Sequence, residues 1–335
     1  MKIKDIGEFE LIERVARLLP HPGKKVVVGI GDDCAVYDTG GDKHSLITTD
    51  MLIETIHFSK EYATGYQIGW RAMAFNISDI ASMGGTPAVA VISLGISKET
   101  EVDWVEELYK GMQAITEKYK FDIVGGDTVA SHQTVLNIAL LGEVSVDHLC
   151  LRSNAKIGDA ILVTGDFGGA DAGLKVLQKK IELDEPSRNY VINRHLLPEP
   201  RLVVGEIFGA QPYHRAMTDS SDGLAADLRN ISIASSVGMR VITEKIPIHP
   251  LTRNAAEKLH QSPLDLALYG GEDYELVFTA PKEAVTKLQK QVKQETGIEI
   301  SEIGEVVSPE KGILLINKDS NEKPLTEFGY EHFIK

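Results

Sequence analysis

The sequence predicts a mixed α/β (α+β) fold arranged as two domains. Short apolar runs rich in Val, Ile and Leu alternate with longer stretches of helical period along the chain. At 335 residues the chain is long enough for two cores. Its character shifts near 150–159, where Arg152, Lys156, Gly158 and Asp159 form a polar stretch before a new apolar run.

The elements follow in order. A helix is expected over 9–19, closed by Pro20 and Pro22, then buried strands at 26–30 and 46–49. The periodic stretch 66–83 predicts a helix stopped by Gly84-Gly85. Strand 89–96, helix 102–119 and strands 122–124 and 135–144 complete a first domain, residues 1–150. The second domain, 151–335, opens with strand 160–163. A glycine-rich turn at 165–169 comes next, either a plain turn or one whose amides meet a phosphate. Helix 170–180 follows, with further strands at 216–218, 276–278 and 313–316.

Composition narrows the function. The net charge is −14, so polyphosphate backbones are repelled and nucleic acid is not an expected partner. The same field repels ATP, so any phosphate ligand needs cationic help beyond side chains. Cys34 and Cys150 form no CxxC pair, and buried thiols in a reducing compartment are expected. The first residues carry no apolar signal run, and the longest uncharged stretch, between Asp79 and Lys98, is broken by Gly84-Gly85 and Pro87. No membrane span and a cytoplasmic location are therefore expected.

The informative feature is where the acids fall. Apolar runs lead into Gly31-Asp32-Asp33, into Asp50, into Gly125-Gly126-Asp127, and into Asp219 and then Asp222-Gly223. Each junction alone is turn chemistry. Four together point to carboxylates gathered at strand mouths, where ligands bind. Asp79 adds to this, because its helix is apolar nearly all round and no Lys or Arg sits one turn away. A buried carboxylate needs a partner, and a bound cation supplies one. All-oxygen ligands select Mg²⁺ or Ca²⁺, and Mg²⁺ shared with substrate phosphates suits phosphoryl transfer. GxxxxGK[ST], GxSxG and HExxH are all absent, and Asp166-Phe167-Gly168 lacks the other kinase loops that would give it meaning.

Six segments together resemble the thiamine-monophosphate kinase family: Gly29-Ile30-Gly31-Asp32-Asp33-Cys34-Ala35, Thr48-Thr49-Asp50, the run from Asn76 to Gly84, Gly125-Gly126-Asp127-Thr128, Asp219-Ser220-Ser221-Asp222-Gly223-Leu224, and Gly270-Gly271-Glu272-Asp273-Tyr274-Glu275-Leu276. The likeness runs from about Gly7 to Tyr330. It implies a fold shared with aminoimidazole ribonucleotide synthetase and selenophosphate synthetase. In that fold the N-terminal domain forms a β-barrel across a homodimer and a C-terminal α/β domain covers the site. The reaction implied is direct transfer of the ATP γ-phosphoryl group to thiamine monophosphate, with Mg²⁺. The resemblance assigns metal ligation to Asp33, Thr48, Thr49, Asp50, Asp79, Asp127, Asp219 and Asp222. It assigns ATP contacts to Tyr109, Gly126, Asp127, Arg152 and Ser221, and substrate contacts to His57, Glu272 and Phe328. Phe328 stands where the family often has Trp.

Read without the family, several of these have plainer roles. His57 is a surface histidine at a strand end, Arg152 pairs with a nearby acid, Phe328 is core packing, and Glu272-Asp273 is a turn. Two other functions compete: an enzyme of the same fold that activates an amide or selenide, and a non-catalytic Ca²⁺ module. No reactive Cys precedes Gly23 to serve a selenide enzyme, and no EF-hand loop supports the Ca²⁺ module.

Overall fold

The computed structural model describes every residue except 21, 330–332, 334 and 335. Helix α1 (Gly7–Leu18) leads into β1 (Val26–Val28), β2 (Ala35–Asp38) and β3 (Lys43–Ile53), which pair antiparallel. Helix α2 (Gly65–Ser82), β4 (Thr86–Ile96), α3 (Val102–Tyr119), β5 (Asp122–Ala130) and β6 (Val135–Ser145) complete a six-stranded sheet. Its order is β1-β2-β3-β6-β4-β5, antiparallel except for the β4–β5 pair.

The rest of the chain continues with β7 (Ala160–Thr164), α4 (Gly169–Lys179), α5 (Glu185–Leu196), α6 (Leu202–Gly209) and β8 (Ala216–Asp219). Then come α7 (Leu224–Ser235), β9 (Gly238–Ile242), α8 (Pro250–Leu259), α9 (Pro263–Tyr269) and β10 (Leu276–Ala280). Helix α10 (Val285–Thr296) and strands β11 (Ile300–Val307), β12 (Ile313–Ile316) and β13 (Glu322–Pro324) finish it. The second sheet runs β13-β12-β9-β11-β7-β10-β8, antiparallel except where β12 joins β9. Strands β7 and β10 are buried along their whole length, which is why they read as unbroken apolar runs.

Helix α2 is the centre of the molecule. It begins with a capping box: Thr64 Oγ1 accepts from Gln67 N and Gln67 Oε1 accepts from Thr64 N. It ends before Gly84, whose φ of +72° reverses the chain. Between these ends nearly every side chain is buried, including Ile68, Phe75, Ile77 and Ile80. Burying such a side chain stabilises the fold by about 1.5–3 kcal/mol. Glycines let neighbouring helices touch backbone to backbone here. A Cβ on Gly69 would lie 2.0 Å from the Leu108 carbonyl oxygen of α3, and one on Gly205 of α6 would lie 2.1 Å from that of Ala81. One apolar core runs from α2 through Phe208 to Met217 and Phe278 of the second sheet. Cys34 and Cys150 are buried free thiols within it.

Two sequence expectations need correction. Asp50 and Asp127 do not sit at strand ends, because β3 runs on to Ile53 and β5 to Ala130. The β3–β6 ladder pairs 43–53 with 135–145 without a break, and such pairing overrides the low strand preference of Asp and Gly. Asp219 does end β8. No described helix is long and apolar enough to cross a membrane.

Candidate active site

Side chains alternate along β3, so Leu46, Thr48, Asp50 and Leu52 face α2 while Ile47, Thr49 and Met51 face outward. Asp79, on the last turns of α2, thereby meets β3, and Thr48 Oγ1 donates a hydrogen bond to Asp79 Oδ2. The loop after β1 brings in Asp33, and the end of β8 brings in Asp219. Carboxylate oxygens of Asp33, Asp79 and Asp219 all lie within 4.8 Å of one another. Residues separated by 186 positions in sequence thus converge on one point (219 − 33 = 186).

Three acids this close, largely out of water, disfavour their own ionisation. Burial, with Asp50, Asp219 and Asp33 nearby, holds the Asp79 carboxyl well above the usual range, against the pull of Thr48. Burial and Asp33 push Asp219 up to about 8, opposed by the neighbouring Ser78 hydroxyl and by Arg152. Burial and the charge of Asp222 push Asp50 up to about 6. Among the described residues, Asp33 Oδ2 and Asp219 Oδ2 are buried without a hydrogen-bond partner. Buried orphan carboxylate oxygens, converging and all hard, fit a divalent cation.

A positive group, Arg152, borders the cluster. Arg152 Nη2 binds Asp33, Nε donates to Thr218 Oγ1 at 3.2 Å, and its backbone N–H donates to Asp32 at 3.1 Å. Burial would lower the guanidinium's proton affinity, but Asp33, Asp32 and Asp219 raise it overall. In this conformation Arg152 pairs with an acid, the plainer of the two sequence readings.

Beside the acids opens a cleft of about 680 Å³. Asp50, Thr49, His57, Ser221, Asp222 and Glu272 all border it. The 270–275 segment is laced to the 219–222 segment by backbone bonds: Glu272 N to the Ser221 carbonyl at 2.7 Å, Tyr274 N to that of Ser220 at 2.9 Å, and Ser220 N to that of Glu275 at 2.8 Å. Glu272 (φ +71°) and Tyr274 (φ +50°) adopt left-handed backbone, which costs on the order of 1 kcal/mol or more per residue. The four side chains that follow Gly271 hold this shape. Glu272 pairs with Arg71 and sits 3.2 Å from His195 Nδ1. Asp273 accepts from Gly168 N and Ala170 N at 2.6 and 3.0 Å. The Tyr274 ring stacks on Phe75 with centroids 4.5 Å apart. Glu275 accepts from Thr164 Oγ1 and Arg201 Nε, each at 2.6 Å, and meets Arg194 Nη1 at 3.0 Å.

That network favours the plain-turn reading of 165–169 over the phosphate one. Three of the turn's amides are already engaged: Gly165 N with the Glu299 carbonyl, Phe167 N with that of Pro247, and Gly168 N with Asp273.

Not every expected site residue joins the cluster. Thr49 Oγ1 turns away and donates to the Ile138 carbonyl at 2.9 Å. Gly126 and Asp127 lie on β5, three strands from β3, about 14 Å across the sheet. Asp127 pairs in register with Ser93, on the outer face opposite the acid trio. Tyr109 is a half-buried ring on α3 packed against the first core. Phe328 packs against the second core, with the Arg229 guanidinium 5.0 Å from its ring centroid. Arg71 and His195 were given no role by the sequence, and Asp32 entered only as part of the Gly31-Asp32-Asp33 junction. Arg71 carried a signal all the same: an arginine in an all-round apolar helix demands an acid as surely as Asp79 demands a cation.

Residues 31–144 match the model for the N-terminal domain of AIR synthase related proteins, and residues 156–317 match that for the C-terminal domain. These two matches place the chain in that broad class. Within it, the thiamine-monophosphate kinase of Bacillus subtilis (strain 168) is 37% identical over 333 residues, covering 98% of this chain and all of the relative. The thiamine-monophosphate kinase of Aquifex aeolicus (strain VF5) is 35% identical over 333 residues, covering 99% of this chain and all of the relative. A solved structure, AaThiL complexed with AMPPCP and TMP, superposes with a TM-score of 0.86 at 34% identity, covering 99% of both chains. The chain belongs to the thiamine-monophosphate kinase family.

Proposed function

We propose that this enzyme transfers the γ-phosphoryl group of ATP to thiamine monophosphate, giving thiamine diphosphate and ADP. The observation that carries the reading is the acid trio standing beside a cleft bordered by both His57 and Glu272. A cation site and an acceptor site are thus neighbours, in a chain similar to one solved with AMPPCP and TMP.

Asp33, Thr48, Asp50, Asp79, Asp219 and Asp222 would hold Mg²⁺. When bound, Mg²⁺ supplies positive charge that offsets the growing negative charge on the transferring phosphoryl group. This also resolves how a chain of net charge −14 tolerates ATP. Arg152 and Ser221 border the same acids and would meet the nucleotide. His57 and Glu272 would hold the acceptor's ring system, with Phe328 near the cleft through its neighbour Gly329, which borders it. The nucleophile is a phosphate oxygen, already ionised at neutral pH, so no general base is required and transfer runs in line without a phosphoenzyme.

We further propose a homodimer in which the first domains, residues 1–150, close a barrel and the second, 151–335, cover the sites. The outer face of the first sheet supports this, since Ile47, Met51, Val91, Val129 and Leu141 expose apolar surface there. Thr49, Gly126, Asp127 and Tyr109 would then serve a metal–nucleotide site in the paired assembly. Two buried free thiols suit work in the cytoplasm.

The test is direct. Incubated with ATP, Mg²⁺ and thiamine monophosphate, the protein should yield ADP and thiamine diphosphate, with free thiamine a poor acceptor. Equal or faster reaction of free thiamine would overturn the reading, because a hydroxyl would then be the nucleophile.

A further inference from the structure

Arg71 is buried to 2% exposure in α2, yet it touches both walls of the cleft. Nη1 donates to the His57 carbonyl oxygen at 2.6 Å, and Nη2 donates to Glu272 Oε1. The Phe75 ring lies 5.1 Å from the guanidinium carbon, and that ring also stacks on Tyr274. Glu272 Oε2 faces His195 Nδ1 at 3.2 Å, so the carboxylate is bordered from behind on both oxygens and gripped by Arg71 on one. The two residues that Arg71 grips come from opposite halves of the chain. His57 follows β3 of the first sheet, and Glu272 precedes β10 of the second.

We infer that Arg71 is a positioning residue for acceptor specificity, fixing His57 and Glu272 at the spacing that the acceptor's ring system requires. This rests on the proposed function, and it adds a residue that does not itself touch substrate. The planar fork matters here. Two nitrogens set at a fixed angle reach two acceptors at once, whereas a lysine ammonium is a single point on a flexible stem. Without the fork, the Glu272 carboxylate loses its fixed place on the cleft wall and the gap to His57 is no longer set.

Several other groups bear on this charge pair. Burial and the charge of Arg71 hold His195 below its usual value, so it stays a neutral imidazole at pH 7 and Arg71 is the charged partner. The Tyr62 ring packs at 6.4 Å from His195, and Asp171 and Lys175 face the same cleft as an ion pair at 2.6 Å.

The experiment compares wild type, Arg71→Lys and the double variant Arg71→Gln/Glu272→Gln, the last removing both buried charges so that neither is left unpaired. Steady-state kinetics are read against ATP and against thiamine monophosphate separately, with a thermal melt of each protein. The expected result for Arg71→Lys is a KM for thiamine monophosphate raised about 30-fold, with KM for ATP and kcat each within about threefold of wild type. The double variant should keep its KM for ATP while its KM for thiamine monophosphate rises at least as far. An unchanged acceptor KM in Arg71→Lys overturns the inference, as does a loss of kcat and melting temperature without any KM split, which is what a purely structural arginine gives. Wild type that makes no thiamine diphosphate overturns the function itself, and the inference with it.

Discussion

Replacing Asp79 by Asn tests whether the acid trio is a cation site or an ordinary buried cluster. The carboxylate oxygens of Asp33, Asp79 and Asp219 lie within 4.8 Å of one another. At that distance and an effective dielectric near 20, each ionised pair repels by about 3 kcal/mol. Asparagine removes the charge but can still accept the Thr48 hydrogen bond, so little else changes. With EDTA at pH 8 the variant should therefore be more stable than wild type by about 1–3 kcal/mol, or some 2–6 °C in melting temperature. The sign of the pH effect follows from the raised carboxyls. Burial and Asp33 hold Asp219 up to about 8 in the fold against 3.8 in a free chain, so its own contribution to apo stability is fullest below about pH 4 and is lost as pH rises toward 8. The advantage of Asn should accordingly shrink on acidification, where protons have already relieved the repulsion. With MgATP the order reverses, and kcat should fall by about 100-fold or more. Melts of both proteins at pH 5 and pH 8, with EDTA and with MgATP, measure all of this. A variant much less stable in EDTA yet still active would show Asp79 to be a structural acid and refute the reasoning.

Light scattering at micromolar protein should give twice the 36.7 kDa chain mass, and a value of one chain mass would remove the dimer. Chiral γ-phosphate should invert on transfer, since retention demands a covalent phosphoenzyme. Arg201 and Arg194 overcome burial to hold the Glu275 carboxyl down to about 2, so its contribution to stability is present above about pH 4.5 and lost as pH falls toward 2. Glu275→Gln, which leaves Arg201 without its carboxylate and Arg194 with Asp273 alone at 3.7 Å, should cost about 3–5 kcal/mol at pH 7. The gap between wild type and this variant in urea melts should close between pH 4.5 and 2.5, and a gap constant across that window would mean the carboxylate is not ionised.

Local pattern was enough to read helices α1 to α4, whereas α5 to α10 were not read from it. The expected 102–119 matches α3, and 66–83 matches α2 to within a residue at each end, because apolar period and stop signals are local properties. The same local reading singled out Asp33, Asp79 and Asp219, since an acid in an apolar context is anomalous whatever surrounds it. It stopped strands β3 and β5 too early, at Asp50 and Gly125-Gly126-Asp127, because a ladder partner distant in sequence decides whether a strand continues. Which face an acid takes was equally out of reach. Thr48 and Thr49 are alike as residues, yet the register of β3 on β6 turns one hydroxyl to Asp79 and the other to a strand carbonyl. Arg71 and Glu272, 201 positions apart, became partners when α2 packed beside the second sheet. Composition and period thus determined that this chain carries buried acids within a mixed α/β fold. Tertiary packing alone decided which of them meet, because charges couple through space and sequence records only distance along the chain.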